Sequence, residues 1–283
     1  MRQINAIVGT AGAAMAALAL TACQSAAGST APGGGGDSGP TEGAGSGVAW
    51  SFTMASPTKD ESPKDTLAVQ YPVVSYAKAT PADTALAATI NTRLKDVDEA
   101  FVTQFRGQFV NPVPVTVDGK PVPSQLQVTA FASQVGELLS VRYDAFLDRS
   151  GSAGGYSEEQ DLTIRMDTGA TLGPADLLAP GALTGSGRAD LAGLIAPGLS
   201  GDYIFGGQSA ADAIGGALET IGTPVDGLTD PVVSVTPNGL DFTFQQGAIT
   251  PMSSGTPTTT VPFDKLGRLL NPEVTALANT TPK

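Results

Sequence analysis

A chain of 283 residues is long enough for one large or two small domains, and 41% hydrophobic residues can supply a core. With 15% charged residues, a net charge of −12 and a pI near 4.3, it lacks the basic patch on which nucleic-acid binding depends. It has no His and a single Cys, Cys23, which excludes His–metal sites, Ser–His–Asp and Cys–His catalysis, and a disulfide within the chain.

Residues 1–22 read as an export signal. Arg2 supplies the positive start, and Ile4 to Leu20 is an apolar run with the flanks of a signal peptide. Leu20-Thr21-Ala22-Cys23 then matches the bacterial lipobox: an apolar residue, two small ones and the Cys that takes the lipid. Cleavage before Cys23 leaves it as a lipidated N-terminus carrying diacylglycerol and palmitate-type acyl chains. Two or more such chains anchor a protein stably, at about 0.8 kcal/mol per buried methylene. The expected location is the cell envelope, on the outer face of the cytoplasmic membrane. Residues 23–49 are a Gly/Ser/Pro tether without apolar periodicity, and such a segment cannot offset its ordering entropy. The abundant Ala, Gly, Thr, Pro and Asp point to a GC-rich, actinobacterial genome.

Ordered structure is expected from Trp50, where Trp50 to Met54 alternates with a period of two. Ser56 to Lys64 is polar and reads as a loop. Leu67 to Tyr76 reads as one strand, with Pro72 marking an edge or bulge. Thr80-Pro81-Ala82-Asp83 has the chemistry of a helix start: an N-cap, a proline at the first position and an acid against the dipole. Leu86, Ile90, Leu94, Val97, Phe101 and Phe105 follow as one stripe, with Arg93, Lys95, Asp96, Asp98 and Glu99 assigned to the outer face. Short strands come next: Val113 to Val117 with an Asp118-Gly119 turn, Leu126 to Val135, Leu138 to Leu147, and Asp161 to Met166. In the second long strand Ser140, Arg142 and Asp144 share the face opposite Leu139, Val141, Tyr143 and Ala145.

Pro174 to Leu178 reads as a short helical piece, and Gly187 to Leu199 and Gln208 to Ile221 as weak helices. Pro231 to Thr236 and Leu240 to Gln246 form a hairpin about Asn238-Gly239, then a strand through Thr259, Val261 and Phe263, and a helix from Asp264 to Leu270. The expected fold is α+β, with antiparallel or mixed sheets and a long amphipathic helix packed on one face. It divides into an N-terminal subdomain at 50–179, a C-terminal subdomain at 180–271 and a frayed tail at 272–283.

The order of these pieces resembles the RsiV-type extracytoplasmic domain family. That family includes the ectodomain of a lysozyme-binding anti-sigma factor, a non-catalytic domain preceding some peptidoglycan deacetylases, and a group of secreted mycobacterial antigens. The matching residues are Tyr71-Pro72-Val73-Val74, Ile90-Asn91, Leu139 to Tyr143, Gly154-Gly155, Leu162-Thr163-Ile164, Asp167-Thr168-Gly169, Leu172 and Asp176-Leu177-Leu178. Further on come Leu240-Asp241-Phe242-Thr243-Phe244, Ile249 through Pro251 to Gly255, and Val261-Pro262-Phe263 with Leu266, so the likeness spans roughly residues 50–271. Tyr156 and Ser157 stand where family members often carry a His after the Gly-Gly pair. The resemblance implies the fold and a precedent for binding lysozyme or cell-wall material.

The recognition residues expected from sequence are Ser150, Gly151, Ser152 and Tyr156 in a Gly/Ser loop, with Glu158 and Glu159 after it. The loop is similar to the Ser-Gly-Ser…Tyr loop of periplasmic lysozyme inhibitors, and Glu158, Glu159 and Asp161 could meet a basic partner. No catalytic residue, metal site or cofactor is assigned. The expected role is a non-catalytic envelope binding module, attached to the membrane through Cys23 and meeting a basic protein such as lysozyme, or peptidoglycan. The alternatives are a His-independent hydrolase of glycan or peptidoglycan, and a structural surface antigen.

Overall fold

The computed structural model describes residues 50–77, 79–111, 113–152, 154–199, 209–221 and 231–280. The signal peptide, Cys23 and the tether lie outside the described residues. Gly39–Lys283 form one compact unit.

In chain order the unit starts with strands β1 (Trp50–Met54), β2 (Thr58–Glu61), β3 (Asp65–Val69) and β4 (Pro72–Tyr76), then helix α1 (Pro81–Gln108). The hairpin β5 (Val115–Val117) and β6 (Lys120–Val122) precedes the long strands β7 (Ser124–Val135), β8 (Leu138–Asp148) and β9 (Tyr156–Arg165). β10 (Thr171–Leu172) and the helices α2 (Pro174–Leu177), α3 (Gly185–Ile195) and α4 (Ala210–Ala217) follow. The chain ends in β11 (Val232–Thr236), β12 (Gly239–Thr243), β13 (Thr258–Val261), α5 (Phe263–Leu266) and α6 (Pro272–Ala278).

The fold is α+β. A six-stranded sheet of order β10-β9-β8-β7-β3-β2 is its centre. It is mixed: β3 runs parallel to β7 and the other pairings are antiparallel. The 28-residue α1 packs on one face of this sheet. Its start is a full capping box. The Thr80 hydroxyl accepts from the Asp83 amide at 3.2 Å, and Asp83 Oδ2 accepts from the Thr80 amide at 2.9 Å. Ile90, Leu94, Phe101 and Phe105 are fully buried along its stripe. They meet Leu139, Val141, Tyr143, Ala145 and Leu147 of β8 in the first hydrophobic core.

A second core lies among α2, α3, α4, the three-stranded sheet β11-β12-β13 and α6. It draws Leu138 from the central sheet, and Leu177 and Leu178 from before residue 180. The two cores therefore meet inside β8, where Leu138 and Leu139 point to opposite faces. A strict division at residue 180 does not describe the packing.

Several expectations are corrected. Ser56 to Lys64 is not all loop: Thr58–Glu61 forms the edge strand β2, exposed throughout and held by main-chain pairing to β3. Such a strand carries no apolar signal to read. Leu67 to Tyr76 is not one strand. The chain breaks at Gln70-Tyr71, so β3 joins the central sheet while β4 pairs with β1. Asp98 is not on the outer face of α1 but 4% exposed within its buried stripe. The tail is not frayed from Pro272: α6 caps itself with Asn271 and buries Val274 and Leu277 in the second core. Finally, β9 begins at Tyr156 rather than at Asp161, so Glu158 and Glu159 lie within the strand and are buried.

Candidate functional site

Strand alternation sorts the central sheet into two faces. Register pairs Ala145 with Glu158 and Leu147 with Tyr156, so Tyr156 and Glu158 face α1 with the first core. Glu158 is fully buried there, where Gln104 Nε2 donates to it at 2.9 Å and Gln160 Nε2 at 3.3 Å. Burial pushes its carboxyl above the ordinary range, partly offset by those two amides.

The opposite face carries Phe131, Arg142, Asp144, Phe146, Glu159 and Asp161. Asp144 is the register partner of Glu159, and Arg142 that of both Asp161 and Phe131. The Arg142 guanidinium sits 5.1 Å from the centre of the Phe131 ring. Its Nε lies 3.7 Å from Glu159 Oε2, an ion contact rather than a hydrogen bond. Glu159 Oε1 accepts from the Thr256 hydroxyl at 3.1 Å. Burial, aided by the neighbouring Asp144 charge, raises Glu159 to about 7, against the opposing pull of Arg142 and Thr256. Burial also raises Asp144 and Asp161. One guanidinium thus sits among three carboxyls whose pKa values burial raises.

Half of this face is covered. Ser140 Oγ accepts from the Val235 amide at 2.9 Å, and Ser133 donates to the Val235 carbonyl, so β11 seats against the sheet there. The other half is open: Phe131 is 50% and Phe146 42% exposed, with Gln125 and Gln127 exposed beside them. Two glutamines close the neighbouring edge. β10 pairs only with Thr163 and Ile164, which leaves the outer edge of β9 bare from Tyr156 onward. Gln245 Oε1 accepts from the Glu159 amide at 2.9 Å, and Gln246 Oε1 from the Ser157 amide at 2.7 Å. Side-chain amides thus take the place of a missing strand and fix β9 against the C-terminal half.

No family model matches the chain, and no curated protein matches it. Two solved structures of the DUF3298 family resemble it. One, from Pseudomonas aeruginosa PAO1, has a TM-score of 0.45 at 16% identity, covering 79% of this chain and 95% of that one. The other, from Bacteroides fragilis NCTC 9343, has a TM-score of 0.46 at 12% identity, covering 81% of this chain and 97% of that one.

The six residues singled out from sequence do not share one surface. Ser150 is 8% exposed and serves the scaffold. Its amide donates to Ser124 Oγ at 3.0 Å, its hydroxyl to the Val122 carbonyl, and its own carbonyl accepts from Asn111 Nδ2 at 3.1 Å. Gly151 and Ser152 form the exposed loop tip, where the Ser152 hydroxyl lies 3.0 Å from Asp148 Oδ1 and 2.9 Å from the Gly154 carbonyl. Tyr156 and Glu158 turn toward α1, and Glu159, on the opposite sheet face, is 3% exposed and bonded to Thr256. The loop still touches that face, because the Phe146 ring lies over Gly155, where a Cβ would meet Cζ at 2.1 Å. Arg142, Asp144, Phe131 and Phe146 were not among the sequence candidates. Alternation along β8 already placed Arg142 and Asp144 together, but no local signal said that their half of the face stays uncovered.

Among the described residues no group of His, Cys, Asp or Glu could hold a metal ion, and no helix is long and apolar enough to cross a membrane.

Proposed function

We propose that this chain is a cell-envelope lipoprotein, anchored through Cys23, whose folded body binds a basic protein such as lysozyme, or peptidoglycan. One observation carries the reading. The open half of the central sheet displays Phe131 and Phe146, with Arg142 and Asp144 part-exposed beside them. Exposed aromatic rings flanked by an arginine are the composition of binding hot spots. The surrounding carboxyls and the net charge of −12 attract a basic partner over a range set by the ionic strength. Asp144 would then gain, from a lysine or arginine of the partner, a countercharge beyond that of Arg142.

The test is biolayer interferometry of residues 39–283 against lysozyme and against soluble peptidoglycan fragments. Lysozyme binding is expected at low salt, weakened about tenfold or more by 0.5 M NaCl. The double substitution Phe131→Ala and Phe146→Ala should weaken it further while leaving the melting temperature unchanged. An absence of binding to both probes at low salt removes the reading. Turnover of muropeptides in the same preparation would replace it with the hydrolase alternative, for which Glu159 beside Asp144 is the pair to mutate.

A further inference from the structure

The buried stripe of the long helix holds a group that the proposed partner surface does not use. Asp98 lies on α1 one turn from Leu94 and Phe101, among side chains that are fully buried. Both of its carboxylate oxygens are closed to solvent and lack a hydrogen-bond partner. The Tyr143 hydroxyl of the same core does not help, because its proton is committed to the Leu94 carbonyl at 3.0 Å. A buried carboxylate without a donor costs several kcal/mol relative to an aliphatic side chain in its place. An orphan of this kind calls for a physical reason.

The reason offered by the surroundings is a cavity. Asp98 lies in the wall of a space of about 260 Å³ between α1 and the β2–β3 edge of the central sheet. Leu67, Val69, Tyr71 and Val102 make its walls largely apolar. Its two cations are already engaged: Lys95 with Glu99 at 2.7 Å, and Arg106 with Asp60 at 2.8 Å and Asp65 at 2.9 Å. Of the charged residues that line the cavity, Lys95 pairs with Glu99 and Arg106 with Asp60, which leaves Asp98 without a counter-charge.

We propose that this cavity is a binding site for a small primary amine with a short apolar body, its ammonium group paired with Asp98 once the carboxylate turns from its closed position into the space. The walls take the apolar body, and the ammonium supplies both the missing charge and the missing donors. An anion is disfavoured because no free cation faces it. A neutral alcohol leaves the charge uncompensated. The volume lies below that of a drug-sized pocket, which limits the ligand to about ten non-hydrogen atoms.

Benzylamine, benzyl alcohol and benzoate are suitable probes, being of one shape and three charges. Each is titrated at pH 8 into 15N-labelled residues 39–283, which enclose both hydrophobic cores. Benzylamine is expected to shift the amides of Leu67, Val69, Asp98 and Val102, with an affinity at least about tenfold above that of the alcohol or benzoate. Asp98→Asn should weaken the amine by about tenfold or more and leave the alcohol unchanged. Val102→Phe should block all three by filling the space. Asp96→Asn, at an exposed carboxylate on the same helix, should change nothing. Equal binding of the alcohol or benzoate, unchanged amine binding in Asp98→Asn, or no shifts at these amides with about 10 mM benzylamine would overturn the proposal.

Discussion

Asp98 occupies a position that the stripe of α1 would otherwise fill with an aliphatic side chain, between Leu94 and Phe101. Burial raises its carboxyl from the ordinary 3.8 to about 7. The folded state therefore holds the proton more tightly than the unfolded state. The resulting stability is fully present below pH 3.8, is lost as pH rises through about 7, and stays lost above it. Asp98→Asn removes this dependence and is expected to raise stability at pH 8 by roughly 2–4 kcal/mol, with little change at pH 4. Urea denaturation of both proteins at the two pH values checks it; a variant no more stable at pH 8 would show that Asp98 is not held as described. Glu159 has the same sign of shift for the same main cause, burial, so the wild type should weaken further as that group loses its proton near pH 7. Charge assigned Asp98 to solvent, although its spacing from Leu94 and Phe101 continues the stripe. The helix face is decided by what packs on it, and here Leu67, Val69 and Tyr71 lie against that side.

At the scale of elements, α6 is the clearest difference between expectation and structure. Pro272 reads as a stop, yet it stands at the first turn of a helix capped by Asn271, where a proline is at ease. The helix closes over the β7–β8 turn. The Glu137 amide donates to the Leu277 carbonyl at 3.1 Å, and a Cβ on Gly136 would lie 2.1 Å from that same oxygen. Gly136 also has φ +57, so both the turn and the close approach require glycine. Truncation after Asn271 removes Val274 and Leu277 from the second core, together with the Arg165–Glu273 ion pair. A loss of about 3–5 kcal/mol is expected from the two buried side chains, measured by urea denaturation. A loss below about 1 kcal/mol would mean that α6 is an ornament of the fold. The hairpins and α1 were readable because their signals are local: Asp118-Gly119, Asn238-Gly239, the capping box and the stripe. The edge strand β2 and the terminal helix were not, because a partner distant in the chain holds each of them.

For the whole molecule, the two hydrophobic cores share the central sheet. Adjacent residues Leu138 and Leu139 of β8 enter different cores, and Ser140 and Ser133 tie the sheet to β11. Residues 180–271 alone lack Leu138, Leu177, Leu178, Val274 and Leu277, all members of their core. That fragment is expected to give a poorly dispersed amide spectrum and no cooperative melt, whereas residues 39–283 should unfold in one transition. A cooperatively folding fragment would restore the view of two independent subdomains. The same sharing positions the open face, since its covered half is the seat of the C-terminal sheet and its free half is what that sheet does not reach.

The amino-acid sequence by itself determined the local pieces and the broad class: the capped amphipathic helix, the turn-marked strands, the α+β pattern, and the exclusion of His chemistry. These depend on neighbours a few residues apart, where periodicity and turn stereochemistry act directly. Only the tertiary structure decided which faces are covered. It separated Glu158 from Glu159, one turned to α1 and the other buried on the opposite sheet face, and it made Ser150 a strut. It also set Asp98 in the wall of a cavity and turned a proline-led tail into a core helix. Each of these outcomes is fixed by burial against residues far away in the chain, and burial is a property of the assembled layers rather than of any local stretch.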